Sequence, residues 1–162
     1  MSPFVPFAYN ALGQTTEITD AAGGHTYYAY DSGGNLTSET DPLGNVTSYE
    51  YNSAGRRTSA TGPDPDGEGP LSAPVTTYTY DSSGNLTSVT DPLENTTQYV
   101  YNGQNQKTEQ IDAAGGHTYY TYDGAGNVAS VTDPLGNTTE YTYDSGKHVT
   151  QVVDAADRKS VV

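Results

Sequence analysis

Bulky and polar side chains alternate with a two-residue period along short runs of about six residues. In the run at residues 76–80, Thr76, Tyr78 and Tyr80 fall on one face of an extended strand, and Thr77 and Thr79 fall on the other. Helical spacing would scatter these side chains around a cylinder, whereas strand spacing aligns them. No segment has the apolar spacing of a helix. The pattern therefore predicts an all-β chain of short strands.

One tetrad, Tyr-x-Tyr-Asp or Tyr-x-Tyr-Asn, ends six of these runs, and a degenerate copy stands at residues 7–10. The second aromatic residues of the seven copies are separated by 21, 21, 29, 21, 21 and 21 residues. A fixed period of this length is typical of a repeat protein, so we expect the tetrad residues to be repeated structural elements. They are Tyr28, Tyr30, Asp31, Tyr49, Tyr51, Asn52, Tyr78, Tyr80, Asp81, Tyr99, Tyr101, Asn102, Tyr120, Tyr122, Asp123, Tyr141, Tyr143 and Asp144.

Two turn signals separate the strands of each repeat. The first-class turn follows the tetrad, as in DSGGN at 31–35, and the second-class turn comes half a repeat later, as in DPLGN at 41–45. Asp in first place can accept a backbone hydrogen bond, Pro in second place presets φ, and Gly in fourth place permits a positive φ. The second-class turn residues predicted in this way are Asp41, Pro42, Gly44, Asp91, Pro92, Asp133, Pro134 and Gly136.

The order strand, turn, strand, turn predicts a continuous antiparallel meander of about 14 strands, which twists into a curved strip. Residues 1–156 are predicted to form one array of about seven repeats. The one 29-residue interval between tetrads contains TGPDPDGEGPLSAP at residues 61–74, which we interpret as an insertion in a turn. Because a single layer has open edges, we expect the isolated chain to be marginally stable and prone to edge pairing.

Composition excludes several functions. The chain has 6 basic and 20 acidic residues, and its net charge of −14 argues against nucleic acid and anionic membrane as partners. It has no cysteine, and no apolar run approaches the roughly 18 residues of a membrane span.

The three histidines do not indicate a catalytic site. His25 and His117 share one repeat position, and His148 has no carboxylate that spacing places beside it. Nucleophile, metal-protease and phosphate-loop motifs are absent, so we predict no enzyme activity and no cofactor.

The repeats resemble those of the RHS-repeat family, also called YD repeats. The segment YDSGGNLTSETDPLGNVTSYEYN, residues 30–52, has that family's order of turns, strands and tyrosines, and the resemblance covers residues 7–156. In bacterial polymorphic and insecticidal toxins and in teneurins, such repeats build a spiral β-shell, which in the toxins encloses a C-terminal effector. The family's self-cleaving core signature is missing, so the Asp-Pro-Leu-Gly segments at 41–44 and 133–136 are interpreted as ordinary turns.

The resemblance implies that the chain is a curved, non-catalytic segment of such a shell. Its partners would be further repeats of its own longer chain and the enclosed C-terminal effector. The parent protein would be secreted by a bacterium or held on its surface.

Two binding alternatives stay open at this stage. Rows of exposed tyrosines can stack on sugars, which would make the strip a surface adhesin with a cell-surface glycan as its partner. Asp and Asn oxygens in tight turns could bind calcium, but the turns lack the loop signatures of calcium sites. Capping of the turns explains these residues more simply, so no metal is predicted.

The end of the sequence departs from the repeat. Asp157 and Val162 stand where the pattern requires Gly and Tyr. The closing DRKSVV is also what a common sequencing-adapter sequence would encode. We therefore expect residues 157–162 to be a non-native tail, and the chain to be a metagenomic fragment of a longer protein. The underlying codons test this expectation.

Overall fold

The computed structural model describes residues 7–67 and 71–154, together with the backbone of 160–161. These residues form fifteen strands and no helix. In chain order the strands are β1 (Phe7–Tyr9), β2 (Thr15–Thr19), β3 (His25–Tyr30), β4 (Leu36–Thr40), β5 (Val46–Tyr51), β6 (Arg57–Thr61), β7 (Val75–Tyr80), β8 (Leu86–Thr90), β9 (Thr96–Tyr101), β10 (Lys107–Ile111), β11 (His117–Tyr122), β12 (Val128–Thr132), β13 (Thr138–Tyr143), β14 (Val149–Asp154) and β15 (Ser160–Val161).

The chain divides into two compact units. The first ends at Tyr78 and also takes in Asp91–Leu93, whereas the second takes in Thr79–Thr90 and resumes at Glu94. Within each unit, strands that are consecutive in sequence pair side by side and antiparallel. The predicted fold class, an all-β antiparallel meander in an open sheet, is confirmed.

The second tyrosine of each tetrad ends a strand, and the hairpin that follows contains a β-bulge wherever its pairing is described. In the β3–β4 pair, Ala29 lies opposite Ser38 but Tyr30 lies opposite Leu36, so Thr37 has no opposite residue. The same shift occurs in the β1–β2, β5–β6, β9–β10, β11–β12 and β13–β14 pairs. A bulge bends its strand and increases the local twist. Curvature is therefore introduced once in every repeat for which this pair is described.

The two faces of the sheet differ in composition. One face, here called the tyrosine face, carries Tyr28 and Tyr30 of β3 and their equivalents, which are half-buried. The opposite face, called the hydroxyl face, carries Ser38 and Thr40 of β4, whose cross-strand partners include the half-exposed Tyr27. Among the described residues no hydrophobic side chain is buried. A single layer has nothing to pack against either face, so the polar, Thr-rich composition matches the architecture.

The insertion lies between β6 and β7. Gly62 N donates to Pro74 O at 2.8 Å, which closes the base of the loop, whereas residues 68–70 lie outside the described part. The predicted non-native tail, 157–162, also lies outside it apart from the backbone of Ser160–Val161, which pairs with β14. The limits of the repeat array and the origin of the tail remain predictions.

Candidate functional site

The second tyrosine of the tetrad donates a hydrogen bond that phenylalanine could not make. Its hydroxyl reaches the backbone carbonyl of the first residue of the preceding strand. The bonds are Tyr30 Oη to Thr15 O (2.8 Å), Tyr51 Oη to Leu36 O (2.8 Å), Tyr122 Oη to Lys107 O (2.7 Å) and Tyr143 Oη to Val128 O (2.9 Å). Each accepting residue stands beside a bulge, where the backbone ladder is interrupted. These bonds tie each hairpin to the one before it.

In each unit, one cation lies between the first tyrosines of two tetrads. Arg57 Cζ lies 5.6 Å from the Tyr49 ring centroid and 4.8 Å from that of Tyr78. In the second unit, Lys107 Nζ lies 5.5 Å from the Tyr99 centroid and 4.5 Å from that of Tyr120. The corresponding positions of other repeats hold Leu36, Leu86 and Val128. A cation between two rings is attracted by both, so it replaces an aliphatic side chain on this half-buried face.

Burial raises the pKa of Tyr28 and Tyr122 on this face. Partial burial raises the pKa of Tyr122, with a smaller contribution from Tyr120. Burial likewise raises the pKa of Tyr28, followed by the nearby charge of Glu39. A raised pKa keeps the phenol neutral, and a neutral phenol can donate its hydrogen bond.

The aspartate of the first-class turn accepts three hydrogen bonds. Asp31 Oδ1 accepts from Gly33 N (2.9 Å) and Asn35 N (2.8 Å), and Asp31 Oδ2 accepts from Asn35 Nδ2 (2.9 Å). The side chain of Asn35, followed by its backbone N–H, lowers the pKa of Asp31. Asp123 and Asn127 repeat this geometry in the second unit. The carboxylate therefore organises its own turn.

Some first-class turns achieve the same geometry without charge. Asn102 Nδ2 donates to Gln106 Oε1 at 2.8 Å, and Asn102 Oδ1 accepts from Gln106 N at 3.0 Å.

The fifth turn residue can also reach the next turn of the same class. Gln14 Nε2 donates to Gly34 O at 2.9 Å, and Asn85 Nδ2 donates to Asn105 Oδ1 at 2.9 Å. The sequence analysis did not predict these bonds between turns, although an amide side chain recurs as the fifth residue of the turn. These residues are Gln14, Asn35, Asn85, Gln106 and Asn127.

The second-class turns follow the same rule. Asp41 Oδ1 accepts from Leu43 N and Asn45 N, each at 2.8 Å, and Asp41 Oδ2 accepts from Asn45 Nδ2 at 2.7 Å. Asp133 is bonded in the same way by Leu135 and Asn137. Carboxylate oxygens engaged by N–H donors are poorly placed to bind a cation. Within the described residues, no group of three or more His, Cys, Asp or Glu is placed to hold a metal ion.

Glu94 occupies the place that glycine takes in the sister turns. Its φ is 65°, whereas Gly44 and Gly136 have φ values of 87° and 85°. A left-handed conformation costs a residue with a Cβ about 1–2 kcal/mol, and glycine avoids this cost. Part of this advantage is offset, because glycine has more conformational freedom to lose when the chain folds.

We therefore expect Glu94→Gly to stabilise the protein by about 0.5–1 kcal/mol in urea unfolding. The converse variant, Gly44→Glu, should destabilise it by a similar amount. A lower stability of Glu94→Gly than of the wild type would contradict this explanation of the turn.

Two histidines form matching clusters on the hydroxyl face. His25 Nδ1 lies 2.6 Å from Glu17 Oε1, and its ring stacks on Tyr27 with centroids 6.0 Å apart. His117 Nδ1 lies 2.6 Å from Glu109 Oε1, and its ring stacks on Tyr119 at 5.9 Å. Both histidines begin a strand, at the repeat position that the sequence indicates.

The expectation that His148 lacks a nearby carboxylate is wrong. Asp144 Oδ2 lies 3.1 Å from His148 Nδ1. The turn folds its fifth residue back onto its first, so a residue four places away becomes a neighbour.

The fold and these contacts define a β-strip repeat protein whose recurring polar residues bond to the strip itself. A sequence profile of the RHS repeat family matches residues 9–45, 30–67, 74–96, 80–117 and 122–159, which together span more than half of the chain. The chain belongs to the RHS repeat family. No helix among the described residues is long and apolar enough to cross a membrane.

Solved structures share this fold. The chain is similar to the crystal structure of TcdB2-TccC3-Cdc42 with a TM-score of 0.61 and 16% identity, over 97% of this chain and 10% of that one. The similarity to TcdB2-TccC3-TEV has a TM-score of 0.60 and 17% identity, over 97% of this chain and 10% of that one. The similarity to TcdB2-TccC3 has a TM-score of 0.57 and 15% identity, over 97% of this chain and 11% of that one. The chain thus spans about a tenth of the solved chains that it matches. No curated protein sequence matches it significantly.

Proposed function

We propose that the chain is a structural segment of the wall of an RHS-repeat shell that encloses a C-terminal toxin or effector. One observation carries this proposal: the second tyrosines and the turn aspartates that recur in the repeats hydrogen-bond within the strip itself. Tyrosine hydroxyls bond to bulge carbonyls, and aspartates bond to their own turns. Residues used in this way are building elements, and the tetrad and turn residues are assigned that structural role.

The hydroxyl face is suited to containment. Its hydroxyls pair with one another, as in Thr121 Oγ1 with Ser130 Oγ at 2.6 Å and Thr132 Oγ1 with Thr138 Oγ1 at 2.8 Å. Hydroxyls that are already paired offer a cargo few strong contacts. A wall that releases its contents needs this weak affinity, and it needs no catalytic group.

Membership of the RHS repeat family and the fold shared with TcdB2-TccC3 support this assignment. The partners proposed for the chain are further repeats of a longer polypeptide and its enclosed effector. The proposed location of the parent protein is outside a bacterial cell or on its surface.

Protease protection in the full-length protein tests the proposal. The complete reading frame would be expressed, and the rate of proteolysis of its C-terminal region would be measured within the shell and as a separately expressed segment. We expect strong protection within the full-length protein. Equal cleavage rates in the two contexts would contradict enclosure.

A carbohydrate-binding strip is the second candidate function, because Tyr27 and Tyr119 expose 49% and 47% of their surface. Rings exposed beside a carboxylate and an imidazole can stack on a sugar and hydrogen-bond to it. Glycan-array binding that is lost in Tyr27→Ala with Tyr119→Ala, but kept in Tyr99→Ala, would favour this function. If the chain bound no glycan on the array, this second function would be contradicted.

A further inference from the structure

Three first-class turns begin with asparagine in place of aspartate, and the residue that follows the asparagine differs among them. The three dipeptides are Asn10-Ala11, Asn52-Ser53 and Asn102-Gly103. Only the last has glycine, and Asn-Gly occurs nowhere else in the sequence. The side-chain amide of an asparagine can be attacked by the backbone nitrogen of the next residue, and a Cβ on that residue hinders the approach. Asn102 is therefore the asparagine of this chain with the least hindered neighbouring nitrogen.

The backbone nitrogen of Gly103 is available for this attack. Gly103 is exposed, and its N–H forms no hydrogen bond with the residues that the structure describes. No atom lies within 4 Å of the place that a Cβ on Gly103 would occupy. Closure of a ring between Gly103 N and the side chain of Asn102 therefore meets neither a competing bond nor a crowded surface.

The side chain of Asn102 is held in the way that an electrophile would require. Its Oδ1 accepts hydrogen bonds from Gln104 N and Gln106 N, each at 3.0 Å. Attack at Cγ places negative charge on Oδ1, and N–H donors bind an oxyanion more strongly than a neutral carbonyl oxygen. The nitrogen that would leave, Asn102 Nδ2, donates to Gln106 Oε1 at 2.8 Å. The turn thus directs two donors at the oxygen on which charge develops.

We propose that Asn102 is a site of spontaneous covalent modification in the folded chain, by deamidation through a cyclic imide formed with Gly103. The Gly103 nitrogen loses its proton and forms a bond to Asn102 Cγ, and the bond between Cγ and Nδ2 breaks. Nδ2 takes up a proton and leaves as ammonia. Water then opens the imide at either of its carbonyl carbons, which gives aspartate or isoaspartate at position 102. The reaction needs only water as a co-reactant.

The modification changes one hairpin of the strip, the one that joins β9 and β10. Either product adds a negative charge to a chain whose net charge is already −14. Isoaspartate also lengthens the main chain inside the turn, where Asn102 N donates to Gln106 O at 2.9 Å. Because the longer backbone does not match this closing bond, the isoaspartate form should hold the hairpin less firmly than the original chain.

Peptide mapping of the 162-residue chain by mass spectrometry tests the proposal, after storage at mildly alkaline pH under conditions where circular dichroism shows a folded chain. We expect position 102 to be converted at least about tenfold faster than Asn10 or Asn52. Those two asparagines are internal controls, because their Oδ1 atoms accept the same pair of backbone hydrogen bonds. In water enriched in heavy oxygen, the converted residue should carry the label.

Ser53 indicates the matched variants. Gly103→Ser gives Asn102 the neighbour that Asn52 has, and the open space around Gly103 accommodates the new side chain. It should slow conversion at position 102 to the rate at Asn52, whereas Ser53→Gly should raise the rate at Asn52 towards that at Asn102. After equal storage, the wild-type chain should melt at a lower temperature than Gly103→Ser.

Equal rates at the three asparagines would overturn the proposal, and so would an unchanged rate at position 102 in Gly103→Ser. Conversion that occurs only when the chain is unfolded in urea would also overturn it, because the folded turn would then protect Asn102. Equal melting temperatures of the converted and unconverted chains would contradict the weakening of the hairpin. None of these results bears on the protease test of the proposed wall.

Discussion

Acidification below pH 3.8 is expected to destabilise the whole strip, because the same kind of carboxylate organises turn after turn. Hydrogen bonds from the fifth turn residue lower the pKa of these aspartates below the ordinary value of 3.8. The group comprises Asp31, Asp41, Asp81, Asp123, Asp133 and Asp144. Asp20 is shifted in the same direction, mainly by the backbone N–H groups of Gly24 and Ala22.

The direction follows from linkage. A pKa that is lower in the folded protein means that folding favours the ionised carboxylate. The stability that these groups contribute is fully present above pH 3.8, and it is lost as the pH falls through the folded-state values. Melting temperatures measured by circular dichroism between pH 2 and 7 should stay level above about pH 5 and fall steeply below pH 4.

The uncharged turn of Asn102 and Gln106 provides the model for a matched control. Asp123→Asn alone should destabilise the protein, because it removes the charged oxygen to which Asn127 Nδ2 donates. Adding Asn127→Gln recreates the neutral pair of Asn102 and Gln106, which should restore stability and remove this turn from the acid response. A melting temperature that is flat down to pH 2 would show that the carboxylates do not hold the turns.

Replacement of four tyrosines by phenylalanine is expected to cost about 4 kcal/mol of unfolding free energy, at about 1 kcal/mol for each lost hydrogen bond. The positions are Tyr30, Tyr51, Tyr122 and Tyr143, whose hydroxyls donate to bulge carbonyls. The substitution leaves each half-buried carbonyl without this donor while the ring still packs. The four hydroxyls donate to four different carbonyls, so we expect the four losses to sum to this value.

Urea unfolding measures this effect. Tyr27→Phe with Tyr119→Phe is the control, because those rings lie half-exposed on the opposite face. The control should stay within about 0.5 kcal/mol of the wild type. Equal losses in the two sets of variants would contradict a specific role for the bulge hydrogen bond.

Much of the fold could be predicted from periodicity. Alternation placed Tyr28 and Tyr30 on one face, and the spacing of the tetrad fixed the length of the repeat. The turn residues Asp41, Pro42 and Gly44 were recognisable because each has a local conformational reason to occupy its position. These features depend on residues that are close in sequence.

Contacts between repeats could not be predicted in this way. The bulge at Thr37 changes the register by one residue, and a two-residue pattern does not reveal such a shift. The partner of the Tyr51 hydroxyl depends on that register, and so does the position of Lys107 between two rings. The amide in the fifth place of the turn was visible in the sequence, but its bond to the next turn required the strands to be paired first.

Cryo-electron microscopy of the full-length parent protein tests the central claim most directly. We predict a closed β-shell in which the strands of residues 7–154 form part of the wall, with the tyrosines bonded as described and the C-terminal region enclosed. A strip that lies open on the outside of the particle, with the C-terminal region outside it, would contradict the claim.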